Sequence, residues 1–410
     1  MDEVRSTIRD TVREHHGWAI ARLVRTLRDL DLAEDALQAA LEAALVQWRA
    51  QGIPGSPRAW LVRAARNKAI DELRRRTMRQ RKEDELQWLA ALQREATAPD
   101  EAPAVEDDLL RLVFTCCHPA LAYEAQIALT LKTIVGLSTK EIARAFLVPA
   151  PTMAQRLVRA KTKLRMAGVP YRVPERSELD ARLAGVLHVV YLIFNEGYLA
   201  TRGDGLVRRD LCRHGTRLGY ELARLFPEHG EVLGLLALIR LQDSRRDARV
   251  DAAGELVLLS DQDRERWDRD AIVEGLALTR RALRRQPGRY ALQAAIAAVH
   301  AEATRAEDTD WPQIVGLYDR LMRRAPTPVV ALNRAVALAF AEGPAVGLSA
   351  MDALADPLGD YHLFHAARAD LLRREGRLAE AAAAYHEALE RCDNEAERRF
   401  LRGRLTALGG

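Results

Sequence analysis

Between Gly136 and Arg165 the sequence reads GLSTKEIARAFLVPAPTMAQRLVRAKTKLR, and its punctuation allows little besides two short helices joined by a proline-marked turn. Ser138 and Glu141 have the spacing of a capping box, in which the serine oxygen accepts an early backbone N–H and the glutamate reaches back to the cap. Ile142, Ala145 and Phe146 continue at helical spacing. Val148-Pro149 then ends the helix, because proline lacks a donor and disfavours helical geometry just before itself. Pro151 or Thr152 opens the next helix, since a first turn tolerates the missing N–H. There Met153, Leu157 and Leu164 face inward, and Gln155, Arg156, Arg159, Lys161, Lys163 and Arg165 cover the rest. This is a helix-turn-helix pattern whose second helix suits a DNA major groove. The competing reading is an antiparallel helix pair with a solvated basic face.

At 410 residues the chain is long enough for two to four domains. Leu, Ala and Arg dominate and aromatic residues are few, which favours helices over sheets. The segment MDEVRSTIRD is charged and unlike a secretory signal, and nowhere do about 18 apolar residues run together. Cys116, Cys117, Cys212 and Cys392 form no CxxC pair. The expectation is a cytoplasmic protein in a reducing compartment, with no membrane association.

Net charge is only +4, but it is unevenly spread. Arg58, Arg63, Arg66, Lys68, Arg74, Arg75, Arg76, Arg79, Arg81 and Lys82 oppose only Asp71 and Glu72, after which the sign reverses from Glu83 to Asp108. From about Glu95 the stretch EATAPDEAPAVEDD reads as a linker that need not pack. Two basic modules on either side of an acidic tether suit two nucleic-acid contacts better than one solvated helix face.

The first module contains LDLAEDALQAALEAALVQW, an amphipathic helix with acidic residues at its leading end. A Gly/Pro loop, RAQGIPGSP, follows, and then the basic amphipathic helix RAWLVRAARNKAIDELRRR. In this order, with the helix-turn-helix behind the tether, Met1 to about Gly168 resembles a bacterial extracytoplasmic-function sigma factor of the sigma-70 type. One departure is the loop IPGSPRAW, where the family is richer in Ser, Phe and Thr, so the minus-ten bases read are left open. The resemblance implies that Asp31, Glu34, Asp35 and Gln38 dock on the largest subunit of core RNA polymerase. It also implies that Arg58, Arg63, Arg66, Asn67 and Lys68 hold and melt minus-ten promoter DNA, with the loop from Arg49 to Pro57 capturing a flipped base. Thr152, Gln155, Arg156 and Arg159 match the helix that enters the minus-thirty-five major groove, and Lys161 and Lys163 are expected to hold phosphate there. Glu34 and Asp35 are both expected to face solvent.

Beyond the DNA-reading helix, GVLHVVYLIFNEGYLATRGDG and IRLQDSRRDARVDAAGELVLLSDQDRERWDRD resemble the helical extension of the sigma subgroup ending in tetratricopeptide-like repeats. RVDAAGELVLL leaves room for one small β-hairpin across Ala253-Gly254. His188, Asn195, Glu196 and His214 share no HExxH-like spacing and are expected in the core rather than on a metal. Adjacent Cys116 and Cys117, followed by His118, have poor geometry for one ion and are expected to pack. From Arg289 onward a period near 34 emerges: Ala335 and Ala369 stand 34 apart, as do Leu338 and Leu372. Such stacked helix pairs offer a concave face for a protein or small-molecule signal, or serve only to pack against the rest of the chain.

These readings combine into an all-α, multidomain protein. A sigma region-two domain spans 1–82, an acidic flexible linker 83–108, a region-four helix-turn-helix domain 109–168, a helical middle domain 169–285, and tetratricopeptide-like repeats 286–410. The expected function is promoter-specific transcription initiation with core RNA polymerase and promoter DNA as partners, no enzymatic activity, no cofactor and no metal, and regulation in cis by the extension. The alternative is a conventional helix-turn-helix regulator with a repeat-type sensory domain, which would have no need of a strand-melting module.

Overall fold

The computed structural model describes residues 2–80, 105–146, 148–169, 171–199, 207–251 and 255–408. The described residues form helices and turns without a named strand, in two compact units, Met1–Val189 and Val190–Gly410. The segments expected as sigma regions two and four both fall within Met1–Val189.

That unit is built on α1 (Asp2–Leu27), α2 (Leu30–Gln51) and α3 (Pro57–Gln80). Asp29 caps α2, its carboxylate accepting the Leu32 N–H at 2.9 Å, which satisfies one of the otherwise unpaired first-turn donors. Ile20, Leu23 and Leu27 of α1, Ala33, Leu37, Ala40 and Trp48 of α2, and Leu61, Ala65 and Ile70 of α3 are buried and form the three-helix core. Trp48 and Trp60 meet edge to face at 5.4 Å, tying the start of α3 to the end of α2 across the Gly/Pro loop. α1 also packs on α4 (Val105–Cys116) and on a π-helical turn, Leu131–Val135, that extends α5 (Tyr123–Thr130).

Two glycines permit that crossing. A Cβ on Gly17 would stand 2.6 Å from the Ile134 carbonyl oxygen, and Gly136, at φ +86°, would place a Cβ 2.6 Å from the His16 ring. Asp108 is buried beside Arg25 of α1, at 3.3 Å, and Arg111, at 3.5 Å. The acidic stretch expected as linker to residue 108 thus ends in folded helix from Val105, whereas the expected linker residues up to 104 lie outside the described residues. α6 (Thr139–Ala145) and α7 (Ala150–Met166) complete the helix-turn-helix. Cys116 and Cys117 are buried as expected. Burial holds the Cys117 thiol up at about 12, and it lies 3.6 Å from the Thr130 hydroxyl.

Tyr171 joins the unit's parts beyond α7. Its hydroxyl lies 3.1 Å from the Ala21 carbonyl of α1 and 3.0 Å from the Asp108 carbonyl of α4, able to donate its proton to either. α8 (Arg176–Tyr198) follows, and Arg182 donates to the Phe114 carbonyl at 2.9 Å.

The second unit centres on α10 (Gly230–Asp243), in which ten of fourteen residues are buried. A helix apolar on nearly every side must be covered on every side. α9 (Arg209–Leu225), α11 (Arg269–Leu283) and α12 (Arg289–Glu302) cover it. Successive packed helices follow: α13 (Trp311–Arg324), α14 (Pro328–Glu342), α15 (Pro344–Asp352), α16 (His362–Arg374), α17 (Leu378–Arg391) and α18 (Glu395–Thr406). Ala335 and Ala369 are buried in α14 and α16, and Gly343 and Gly376, both at positive φ, follow the ends of these helices. The hairpin is reduced to one antiparallel bridge, Val250 to Leu256, and its expected turn at Ala253-Gly254 lies outside the described residues.

Gly136→Ala combines a left-handed backbone with a clash against His16, and is expected to destabilise the protein by about 1 to 3 kcal/mol, read as a lowered denaturant midpoint.

Candidate polymerase and nucleic-acid interface

The helix-turn-helix forms locally as its sequence dictates. The Ser138 N–H donates to a Glu141 carboxylate oxygen at 2.7 Å and the Glu141 N–H donates to Ser138 Oγ at 3.2 Å, closing the capping box in both directions. Pro149 caps α7, and Pro151 lies in its first turn. Met153, Leu157, Ala160 and Leu164 are buried, which leaves Gln155, Arg156, Arg159 and Lys163 exposed and Thr152 half-buried. Val158 is 63% exposed among these cations. Sequence reading passed over it, although an exposed apolar side chain on such a face suits a thymine methyl group.

On α3, Leu61, Val62, Ala65, Ala69 and Ile70 are buried, so Arg63, Asn67 and Lys68 project outward and Arg66 is half-buried. Arg58 is exposed, with its guanidinium 4.7 Å from the centre of the Trp18 ring, a cation–π contact that orients it on α1. Gly52, at φ +87°, ends α2 and donates its N–H to the Trp48 carbonyl at 3.1 Å, starting the loop toward Pro57.

The acidic face of α2 departs from expectation. Asp31, Asp35 and Gln38 are exposed, but Glu34 faces α7 and the π-turn rather than solvent, with only 14% of its side chain accessible. Its carboxylate accepts from the Thr133 hydroxyl at 3.2 Å and from Lys161 Nζ at 2.8 Å. Lys161 also donates to Asp31 at 2.8 Å. Partial burial by itself would lower the Lys161 pKa, but Glu34 and Asp31 outweigh it and hold the ammonium above the ordinary lysine value. Lys161 is therefore charged at neutral pH. Lys161, expected on DNA phosphate, is in this structure engaged with two residues expected on polymerase. Nothing in the sequence signals this, because the partners are 127 and 130 residues apart.

Residues 11–79 match sigma-70 region 2 and residues 111–164 match sigma-70 region 4. Together with the helix-turn-helix geometry, these matches place the chain in the sigma-70 family of transcription initiation factors, whose two regions bind core RNA polymerase and promoter DNA. Such factors direct the polymerase and leave the chemistry to it. The chain shares a family along its length with an uncharacterized protein of Rhizobium meliloti (strain 1021), to which it is 44% identical over 393 residues, 95% of this chain and 93% of that protein. Residues 182–283 match a family of unknown function, and no solved structure matches the chain. No described helix is long and apolar enough to cross a membrane.

Arg156→Ala is expected to cost about 1 to 3 kcal/mol in promoter binding and to relax one upstream base position, as a base-edge contact would. Lys163→Ala is expected to weaken all sequences alike and flatten the salt dependence, as a phosphate contact would. Binding titrations across promoter variants and salt concentrations separate the two; equal losses on every sequence from both substitutions would contradict the assignment.

Proposed function

We propose that the chain is an extracytoplasmic-function type sigma factor whose C-terminal, tetratricopeptide-like helical part regulates it in cis. In this reading Asp31, Glu34, Asp35 and Gln38 of α2 dock on core polymerase. Arg58, Arg63, Arg66, Asn67 and Lys68 hold the melted minus-ten strand, and Thr152, Gln155, Arg156, Arg159, Lys161 and Lys163 engage the minus-thirty-five element.

The observation that carries the regulatory part is the Lys161 clamp. A cation assigned to DNA sits 2.8 Å from each of two carboxylates assigned to polymerase. Both surfaces are partly spent on one another, so the arrangement is a closed one that must part before either partner binds fully. The Asp31 arm is half exposed and contributes about 1 kcal/mol or less. The Glu34 arm is mostly shielded, and losing Lys161 would cost about 1 to 3 kcal/mol. These magnitudes suit a switch, because a partner of ordinary affinity can overcome them. The connector into the extension bears on the same state: Tyr171 bridges α1 and α4, and Arg182 holds α4, so displacement of the connector would be felt by both sigma regions. A protein or small-molecule signal at the repeat face would supply it.

Lys161→Ala is expected to raise capture of the full chain by core polymerase about fivefold or more, in keeping with the energy of the Glu34 arm. Asp35→Lys is expected to abolish capture with helix content unchanged. Capture unaffected by Asp35→Lys contradicts the polymerase assignment. A chain ending after Tyr198, which keeps α8 whole, tests regulation in cis by run-off transcription: higher output shows restraint, lost output shows support, and unchanged output with unchanged polymerase affinity contradicts it.

A further inference from the structure

Three helix ends meet in the second unit with one potential metal ligand each. His362 is the first residue of α16, Cys392 follows the last residue of α17, and Glu397 lies in the first turn of α18. His362 Nε2 is 3.1 Å from a Glu397 carboxylate oxygen, and Cys392 Sγ is 3.7 Å from the same oxygen. The ligand atoms of all three lie within 4.8 Å of one another, the one such group of His, Cys and acidic residues among those described. His188, Asn195, Glu196 and His214, weighed from the sequence, belong to no such group.

Two of these separations are near those a tetrahedral zinc-class ion would set, and the third pair, His362 and Cys392, lies within 4.8 Å, so a small side-chain shift would seat the ion. Ligand bonds of roughly 2.1 Å for nitrogen and oxygen and 2.3 Å for sulfur put nitrogen and oxygen about 3.4 Å apart and sulfur and oxygen about 3.6 Å apart. The donors are also held in place. Asn394 is fully buried and caps α18, its side-chain oxygen accepting the Glu397 N–H at 3.2 Å. Arg398 donates to the carbonyls of Leu389, at 2.6 Å, and Cys392, at 2.8 Å, fixing the loop that carries the thiol. Glu397 is only 7% exposed, and its carboxylate is met by the His362 ring and the Cys392 thiol, the two other candidate ligands.

The surroundings point to an open site rather than a closed structural one. His362 and Glu397 line a cavity of about 720 Å³, walled largely by apolar and aromatic side chains including Trp311, Phe340 and Tyr361. Cys392, 2% exposed, is not among its walls. An ion held by all three would keep one side toward the cavity. Three protein ligands and one free position are the arrangement of a zinc ion that binds an exchangeable fourth ligand, and a mostly apolar cavity with a few convergent polar groups is the form of a small-molecule site.

We propose that His362 Nε2, Cys392 Sγ and a Glu397 carboxylate oxygen bind one divalent ion of the zinc class, its fourth position turned to the cavity and taken by water or by the donor head of an otherwise apolar small molecule. Binding stands apart from the transcription reading and can be measured without polymerase. It would link the second unit to metal supply or to a ligand anchored on the metal.

The full chain, stripped with a chelator and dialysed, is titrated with Co(II) and with Zn(II). The expected result is one tightly bound ion per chain, a thiolate-to-cobalt charge-transfer band, and a higher melting temperature with Zn(II). Cys392→Ser is expected to remove the band. Glu397→Gln, which keeps every cysteine, is expected to weaken Zn(II) more than about tenfold. No uptake by the wild-type chain would overturn the proposal and leave the cluster as a His–Glu ion pair beside a packed thiol. A band that survives Cys392→Ser would overturn it by placing the ion on another cysteine. If Cys392→Ser fails to fold, unchanged Zn(II) affinity in Glu397→Gln overturns it on its own.

Discussion

The close crossing of α1 over the π-turn is the constraint on which the first unit depends. Gly17 and Gly136 remove the side chains that would hold the two backbones apart, and Asp108, paired with Arg25, closes the other edge of α1. Once α1 is seated between the region-two helices and the region-four helices, the acidic face of α2 has to meet α7. Lys161 then finds Glu34 and Asp31. The pairing follows from backbone approach that only glycine permits, with charge complementarity completing what sterics allow. The Tyr171 hydroxyl, within hydrogen-bonding reach of a carbonyl on α1 and one on α4, extends the same constraint to the segment leading into the second unit.

The second unit solves a different problem. α10 is too apolar to stand at a surface, so the helices around it are committed to covering it, and the paired helices beyond it carry the periodic small residues and terminal glycines. Where α16, α17 and α18 converge, backbone ends and polar side chains gather beside the cavity, and the metal-ligand cluster arises at that convergence. Its donors come from the ends of three separate helices.

What was legible in the sequence is what local rules determine. The Ser138–Glu141 capping box, the proline turn and the inward row of Met153, Leu157 and Leu164 involve neighbours a few residues apart, and the structure reproduces them. The all-helical class and the offset between Ala335 and Ala369 were legible for the same reason. The Lys161 clamp was not, because its partners lie on another helix far away in the chain and any exposed lysine on α7 reads as a phosphate ligand. Asp108 read as one more tether acid because charge counting does not see burial. The cluster of His362, Cys392 and Glu397 matches no motif, since spacing within a helix sets ligand geometry only when the ligands share that helix. Of the hairpin expectation, the described residues show the two flanks joined by an antiparallel bridge at Val250 and Leu256.

Whether the two sigma regions hold one another closed until polymerase separates them decides the role proposed for the Lys161 clamp. All four native cysteines are buried, so spin labels on cysteines introduced at Glu42 of α2 and Arg165 of α7, both exposed and outside the surfaces assigned to polymerase and DNA, report the distance between those helices. Pulsed electron resonance on the labelled full chain is predicted to give one narrow, short distance that lengthens when core polymerase is added, and to give a broader distribution in the free chain when Lys161 is alanine. A distribution that core polymerase and Lys161→Ala both leave unchanged would contradict the closed arrangement as a functional state.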